Sequence, residues 1–288
     1  VFFNVLGAEA NDEMMEISQR VSPKLSQTSN NIFLNEKLLA RVKSIYDKKE
    51  QLNLSTEDAK LLEDLYESFK ANGATLNKDD KEKYRKLSMD LSMLTLQFDQ
   101  NALKDKNRFE LLITDENELS GLPESARDAA AMLAKSKDKN GWLFNLSAPS
   151  YIPFMRYSDK RDLREKMYRE YMSVGNKGDE FDNKDIIKKI VNIRLEIAQL
   201  MGFKNYAEYA LEHTMAKNSA NVYKLLNQLL EAYKPIAINE YNAVEGFALG
   251  TEKENITVMP WDWSYYSEKL RDIRFKVNDE MTRPYFEL

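Results

Sequence analysis

The stretch DNKDIIKKIVNIRLEIAQLMG sets Ile186, Ile190, Ile193, Ile197 and Leu200 on one face of a helix, and Gly202 closes it. Apolar residues at steps of three and four are the helical period. The same period runs through NKDDKEKYRKLSMDLSMLTLQFDQNAL, in Tyr84, Leu87, Leu91, Leu94 and Phe98. Asn77 stands at its N-cap, with Asp79 and Asp80 in the first turn to complement the helix dipole. STEDAKLLEDLYESFKANG opens with Ser55 and Asp58 in capping-box spacing, and Gly73 falls where a C-cap belongs. SANVYKLLNQLLEAYKPIAINEYNAVEGFALG carries Val222, Leu225, Leu226, Leu229 and Tyr233, and its Pro235 is expected to kink or break the helix. With only nine Gly and seven Pro in 288 residues, long helices run with few interruptions. The fold class is therefore mainly α, a multi-helical lobe.

One region departs from this period. RFELLIT alternates Phe109, Leu111 and Ile113 against Glu110, Leu112 and Thr114, and WLFNLS alternates Trp142, Phe144 and Leu146 against Leu143, Asn145 and Ser147. Both read as strands, so one small two-stranded β element is expected at about 108–114 and 142–147. Between them PESARDAAAMLAKSK reads as a short helix with Pro123 in its first turn. SAPSYIPFMRYS then reads as extended chain, because Pro149 and Pro153 each push the preceding residue out of the helical region. Residues 1–288 are read as a single region with a sub-division near 104–150, the strand–helix–strand insertion. KANGATLNKDD and SVGNKGDEFDN are the expected flexible points.

Charge and composition narrow the function classes. The net charge is -5, with acids and bases interleaved rather than gathered in a basic patch, which argues against nucleic-acid binding. No apolar run approaches the roughly 20 residues that span a bilayer, so no membrane partner is expected. There is no Cys, which removes disulfides, thiolate metal sites and Cys nucleophiles. That usage fits the cytoplasm and is compatible with the periplasm. The chain begins at Val1 without an initiator Met, and its native N-terminus is expected to lie upstream.

The chain has one histidine, His213. A zinc site draws three protein ligands mainly from His and Cys, so carboxylates would have to supply the rest. A structural or surface histidine is the reading this count favours. No G-x-S-x-G elbow presents a serine to it, and no glycine-rich phosphate loop is present. DKRDLREKMYREYM is basic, but Asp162 with Lys166 and Glu165 with Arg169 stand four apart. Its charge pairs along a solvated helix face, with contact to an acidic ligand terminus as the sharper alternative.

VMPWDWSYYSEKLRDIRF concentrates aromatic mass near the C-terminus. Asp262 and Ser264 are candidate caps for the helix that follows Pro260. Tyr265, Tyr266, Leu270, Ile273 and Phe275 do not share one face, so the helix is expected to be nearly surrounded or to have one face covered by another segment. Core packing is the plain reading. A pocket-lining role makes Tyr265 and Tyr266 the candidate site residues. No residue is assigned a catalytic or metal-ligating role. On residues alone, two readings stand: a non-catalytic helical scaffold or interaction protein, or one lobe of a larger enzyme.

VFFNVLGAEANDEM, SPKLSQTSNNIFLNEKLLARVKSIYD, LTLQFDQNAL, LEHTMAKNSANVYKLL and PWDWSYYSEKLRDIRFKVNDEMTRPYF, in that order, resemble the peptidyl-dipeptidase branch of the thimet-oligopeptidase-like zinc metallopeptidases. The resemblance covers essentially the whole chain. It implies a nearly all-helical enzyme with a deep channel between two lobes, acting on short peptides. It also implies a zinc held by an H-E-x-x-H helix and a downstream Glu. This chain departs from the pattern, since that motif needs two histidines. The expectation is therefore an internal, non-catalytic part that precedes the zinc site and forms one channel wall. Zinc is implied for the full-length parent and not for this part, which is expected to be inactive alone. The resemblance further implies an apolar face normally covered by the catalytic lobe, through which this part self-associates.

Overall fold

The computed structural model describes residues 1–9, 11–252, 256–276, 281 and 285. Within RPYF, Arg283, Pro284 and Phe286 lie outside the described residues, as do Val277 to Glu280 before it. In chain order the elements are α1 (Phe2–Glu9), α2 (Asp12–Phe33), α3 (Glu36–Tyr46), α4 (Thr56–Ala71), α5 (Lys78–Arg108), β1 (Leu111–Ile113), α6 (Glu124–Ser136), β2 (Trp142–Phe144), α7 (Ala148–Tyr157), α8 (Arg161–Met172), α9 (Lys184–Leu200), α10 (Tyr206–Leu211), α11 (Ser219–Thr251) and α12 (Pro260–Phe275). The protein is mainly α, as the periodicity predicts. The chain forms two compact units, Val1–Gln100 with Asn183–Lys224, and Asn101–Asp182 with Leu225–Leu288.

In the first unit the two clearest stripes meet. Tyr84 and Leu87 of α5 and Ile197 of α9 are buried with Leu34, and Leu91, Ile193 and Leu200 pack against them. The caps fall where the sequence puts them. The Asp58 N–H donates to Ser55 Oγ at 3.1 Å, and the Asp80 N–H donates to Asn77 Oδ1 at 2.9 Å. Gly73 takes φ +81°, which lets the Ala74 N–H reach back to the Phe69 carbonyl and close α4. Tyr209 of α10 donates its hydroxyl to the Ala71 carbonyl at 2.7 Å, fastening α10 to the end of α4.

The second unit holds the β element. β1 and β2 pair antiparallel in the register Leu111↔Phe144, Leu112↔Leu143 and Ile113↔Trp142, with β1 shorter at both ends and β2 at its C-terminal end than the alternation suggests. Gly141 precedes β2 at φ +115°, where a Cβ would stand 2.3 Å from the Ile113 carbonyl oxygen; only glycine lets the strands close. Behind the strands lies a core of Leu119, Leu122, Phe144, Leu146, Phe154, Met155, Met167 and Trp261.

One local expectation fails for an identifiable reason. Residues 148–157 form α7 rather than extended chain. Pro149 lies in the first turn, where backbone N–H groups have no intrahelical partner anyway. Pro153 removes one ladder bond, and burial of Phe154 and Met155 offsets that loss. Of the kink or break expected at Pro235, the break does not occur: α11 runs 33 residues through it. The segment Ser173–Asn183, expected to be flexible, is anchored on Asp105. That carboxylate is fully buried and accepts from the Gly175 N–H at 2.7 Å, Lys177 Nζ at 3.2 Å and Arg108 Nη2 at 2.7 Å.

Candidate functional site

The aromatic stretch Val258 to Phe275 folds around a carboxylate. α12 begins at Pro260, and Asp262 occupies its third position. Asp262 is not the N-cap. From inside the first turn it accepts the Met259 N–H at 3.1 Å, adding a negative charge where the helix dipole favours one. Its side chain is 0% exposed.

Two arginines one turn apart on α8 meet it there. Arg161 donates from Nε to both carboxylate oxygens at 3.0 and 3.1 Å, and from Nη2 at 2.7 Å. Arg164, itself 1% exposed, donates from Nη2 at 2.9 Å. Its remaining donors reach the Ser158 carbonyl at 2.7 Å and the Trp261 carbonyl at 3.3 Å. Burial alone pushes the Asp262 carboxyl up, but the hydrogen bonds from Arg161, Met259 and Arg164 outweigh it and hold the group below the usual carboxylate range. The sequence reading of this basic segment as a solvated face holds for Arg169, paired with Glu165 at 2.7 Å, and fails for Arg164.

Tyr265 and Tyr266 complete the cluster. They are 7% and 1% exposed, and their rings meet edge-on with centroids 5.1 Å apart. The Arg164 guanidinium lies 4.0 Å over the Tyr265 ring. The Tyr265 hydroxyl donates to Asp159 at 2.7 Å, and the Tyr266 hydroxyl donates to Glu252 at 2.5 Å. Burial pushes both phenols up, that of Tyr266 further with the help of Glu252. Trp261 is buried, whereas Trp263 is 37% exposed and stacks on Tyr241 with ring centroids 5.9 Å apart. Ile273 and Phe275 in the last turns are exposed, so α12 is surrounded only along its first half.

Asp159 links this cluster to a cleft of about 250 Å3 lined by Gly121, Arg156, Tyr157, Asp159, Glu268, Lys269 and Asp272. Asp159 also accepts from Ser120 Oγ at 2.7 Å and Lys269 Nζ at 3.2 Å. Burial raises its carboxyl, and the bonds from Tyr265, Ser120 and Lys269 more than reverse that. Gly121 shapes the wall, since at φ +85° a Cβ there would stand 2.1 Å from the Tyr157 carbonyl oxygen. Tyr157 donates to Glu268 at 3.3 Å. Asp159 thus pairs with Lys269 inside the cleft, and Glu268 pairs with Arg271 at its edge.

His213 stands elsewhere, in the first unit, on a cleft of about 600 Å3 between the C-terminal half of α4 and the segment after α10. Its Nε2 is 3.3 Å from Glu212 and 3.9 Å from Glu67. The donor set does not fit the zinc that the resemblance implies. The chain offers one imidazole and no thiolate. Among the described residues no three His, Cys, Asp or Glu side chains gather where a metal could sit. Also among the described residues, no helix is long and apolar enough to cross a membrane. The site residues that sequence reasoning missed are Arg161, Arg164 and Asp159. The only signal was two arginines three apart on one helix, and nothing local pointed to their partner about a hundred residues on.

Residues 154–288 match the family model described as peptidase family M3, a span that opens inside α7 and contains the whole Asp262 cluster. The chain is 34% identical to oligopeptidase A of Salmonella typhimurium over 95% of its own length and 41% of the relative's. It is 30% identical to the dipeptidyl carboxypeptidase of Escherichia coli over 100% of its length and 42% of that protein. It is 33% identical to a probable cytosolic oligopeptidase A of Arabidopsis thaliana over 96% of its length and 40% of the relative's. The chain thus spans about two fifths of the length of the curated relatives it matches.

Proposed function

Since this chain belongs to peptidase family M3, we propose that it is a non-catalytic helical part of a zinc metallopeptidase that hydrolyses short peptides, and that it forms one wall of the substrate channel. The observation that carries this reading is a pairing of two facts. Similarity to oligopeptidase A runs through 95% of the chain, yet its residues supply one histidine and no metal-gathering cluster among those described. Zinc, the water-activating carboxylate and the cut itself then belong to residues other than these. The names of the relatives, an oligopeptidase and a dipeptidyl carboxypeptidase, support short peptides as substrate. The cytosolic plant relative supports the cytoplasm as compartment.

In this reading Tyr265 and Tyr266 serve the wall from behind. Tyr265 positions Asp159 at the cleft, and Tyr266 locks α12 to Glu252. A chimera tests the proposal, with residues 1–288 replacing the aligned region of the Escherichia coli oligopeptidase A. It is expected to bind zinc and hydrolyse a short peptide with an altered KM, while the 288-residue chain alone does neither. Stoichiometric zinc and peptide release by the chain alone would overturn the non-catalytic role. A folded, zinc-loaded chimera without hydrolysis would overturn the channel role.

A further inference from the structure

In an Asn-Gly pair the backbone readily attacks its own side chain, because glycine has no Cβ to block the approach, and asparagine is thermolabile for this reason. The chain holds two such pairs, Asn72–Gly73 and Asn140–Gly141. The fold treats them oppositely. At the first, both reacting groups are engaged. The Asn72 side-chain amide donates to the Ser68 carbonyl at 2.8 Å, the Gly73 N–H donates to the Lys70 carbonyl at 3.0 Å, and Gly73 is buried. At the second, Asn140 is exposed in the turn between α6 and β2, and its side chain makes no hydrogen bond among the described residues. That turn already holds two residues at positive φ, Asp138 at +54° and Gly141 at +115°. We propose that Asn140 is a site of spontaneous deamidation, and that its isoaspartate product unfastens the β1–β2 pair.

The Gly141 amide nitrogen, its proton taken by hydroxide, attacks the side-chain carbonyl carbon of Asn140. A bond forms between that nitrogen and Cγ, the bond from Cγ to Nδ2 breaks, and ammonia leaves. Water then opens the cyclic imide at either carbonyl. Opening at Cγ gives aspartate with the main chain unchanged. Opening at the main-chain carbonyl gives isoaspartate, in which the chain to Gly141 runs through the side-chain methylene. On either route one water enters and one ammonia departs. The two products meet different surroundings. Aspartate adds a carboxylate in solvent beside Lys139, which with Lys137 holds Glu110, and exposed charges there are worth little. Isoaspartate lengthens the backbone immediately before Gly141, where there is no spare room. A Cβ on Gly141 would already stand 2.3 Å from the Ile113 carbonyl oxygen. The next residue, Trp142, pairs with Ile113, in a ladder of only three residue pairs. Ile113 and Phe144 of that ladder are buried in the core, so a shift at Gly141 reaches the core directly. The inference stands apart from the peptidase reading, because it uses no property of the channel.

Peptide mass spectrometry on the chain aged in mildly alkaline buffer tests the proposal, with the chain in urea as reference. Unfolded, both Asn-Gly pairs are expected to react alike. Folded, Asn140 is expected to keep most of that rate, and Asn72 to react at least about ten-fold more slowly than Asn140, since its hydrogen bonds must open first. Aged protein should accept methyl groups from a protein isoaspartate methyltransferase, and Asn140→Gln should remove most of that signal. Asn140→Asp separates the charge from the backbone change. It is expected to leave the urea midpoint, read by tryptophan emission, where it is in the fresh chain, while the isoaspartate-containing chain unfolds at a lower urea concentration. Equal rates at Asn72 and Asn140 in the folded chain, or an undiminished methylation signal from Asn140→Gln, would overturn the modification site. An isoaspartate-containing chain with the midpoint of Asn140→Asp would overturn its effect on the strands.

Discussion

The first turns of α12 and the middle of α11 invert the ordinary rule of inside and outside. α12 buries a carboxylate completely, while α11 leaves its leucines and isoleucines in water. The difference lies in partners rather than in polarity. Asp262 is admitted to the interior because two guanidinium groups and a helix N–H surround it, and an uncompensated charge could not be. The α11 side chains have the polarity of a core, and the described residues do not enclose them. Local chemistry therefore sets what a segment can be buried against, and the rest of the fold decides whether that partner arrives.

Breaking the α12 side of this contrast should have the largest effect. Asp262→Ala leaves Arg164 buried without its counter-charge and is expected to cost about 3–5 kcal/mol in chemical denaturation. A loss below about 1 kcal/mol would mean the cluster is solvated after all. Gly121→Ala comes next, because a β-carbon meets the Tyr157 carbonyl in a positive-φ turn, and about 1–3 kcal/mol is expected. A urea midpoint unchanged by that substitution would show the turn to be free to move.

Acid should then separate the regions. Asp262 and Asp159 are both held below the usual carboxylate range. Their contribution is present above the unfolded-chain carboxyl pKa, near 4, and is lost as pH falls through the lower folded values. The second unit should therefore weaken below about pH 4, by roughly 1.4 kcal/mol for each unit of depression at the buried Asp262 and by less at the exposed Asp159, where solvent screens the charges. Asp262→Asn should flatten that dependence. The smallest effect belongs to α11, where Leu229→Ala in the dilute chain should change stability by no more than about 0.5 kcal/mol. The same truncation at Leu146, which is 0% exposed, should cost about 2–5 kcal/mol.

What the sequence discloses follows the reach of each interaction. The stripes of α5 and α9, the caps at Ser55 and Asn77 and the strand pair were readable because each depends on neighbours within a few residues. α7 was misread because proline rules describe average backbones, whereas Phe154 and Met155 bury against a core the local sequence does not display. The Arg161–Asp262–Arg164 cluster was invisible because Asp262 lies about a hundred residues from both arginines. Periodicity in α11 gave a helix and left its cover open, since an apolar stripe records a need for a partner and not the partner's presence. Of the candidate site, Tyr265 and Tyr266 were legible as aromatic mass, while their hydroxyl bonds to Asp159 and Glu252 were not.

The placement of β2 and α12 has a practical outcome. Trp142, Trp261 and Trp263, the chain's only three tryptophans, all fall in the second unit, and its sole histidine falls in the first. Indole emission therefore reports on one unit and the imidazole proton resonance on the other, with no engineered label. Two melting curves recorded from one sample of the native protein would reveal whether the halves come apart together or in sequence.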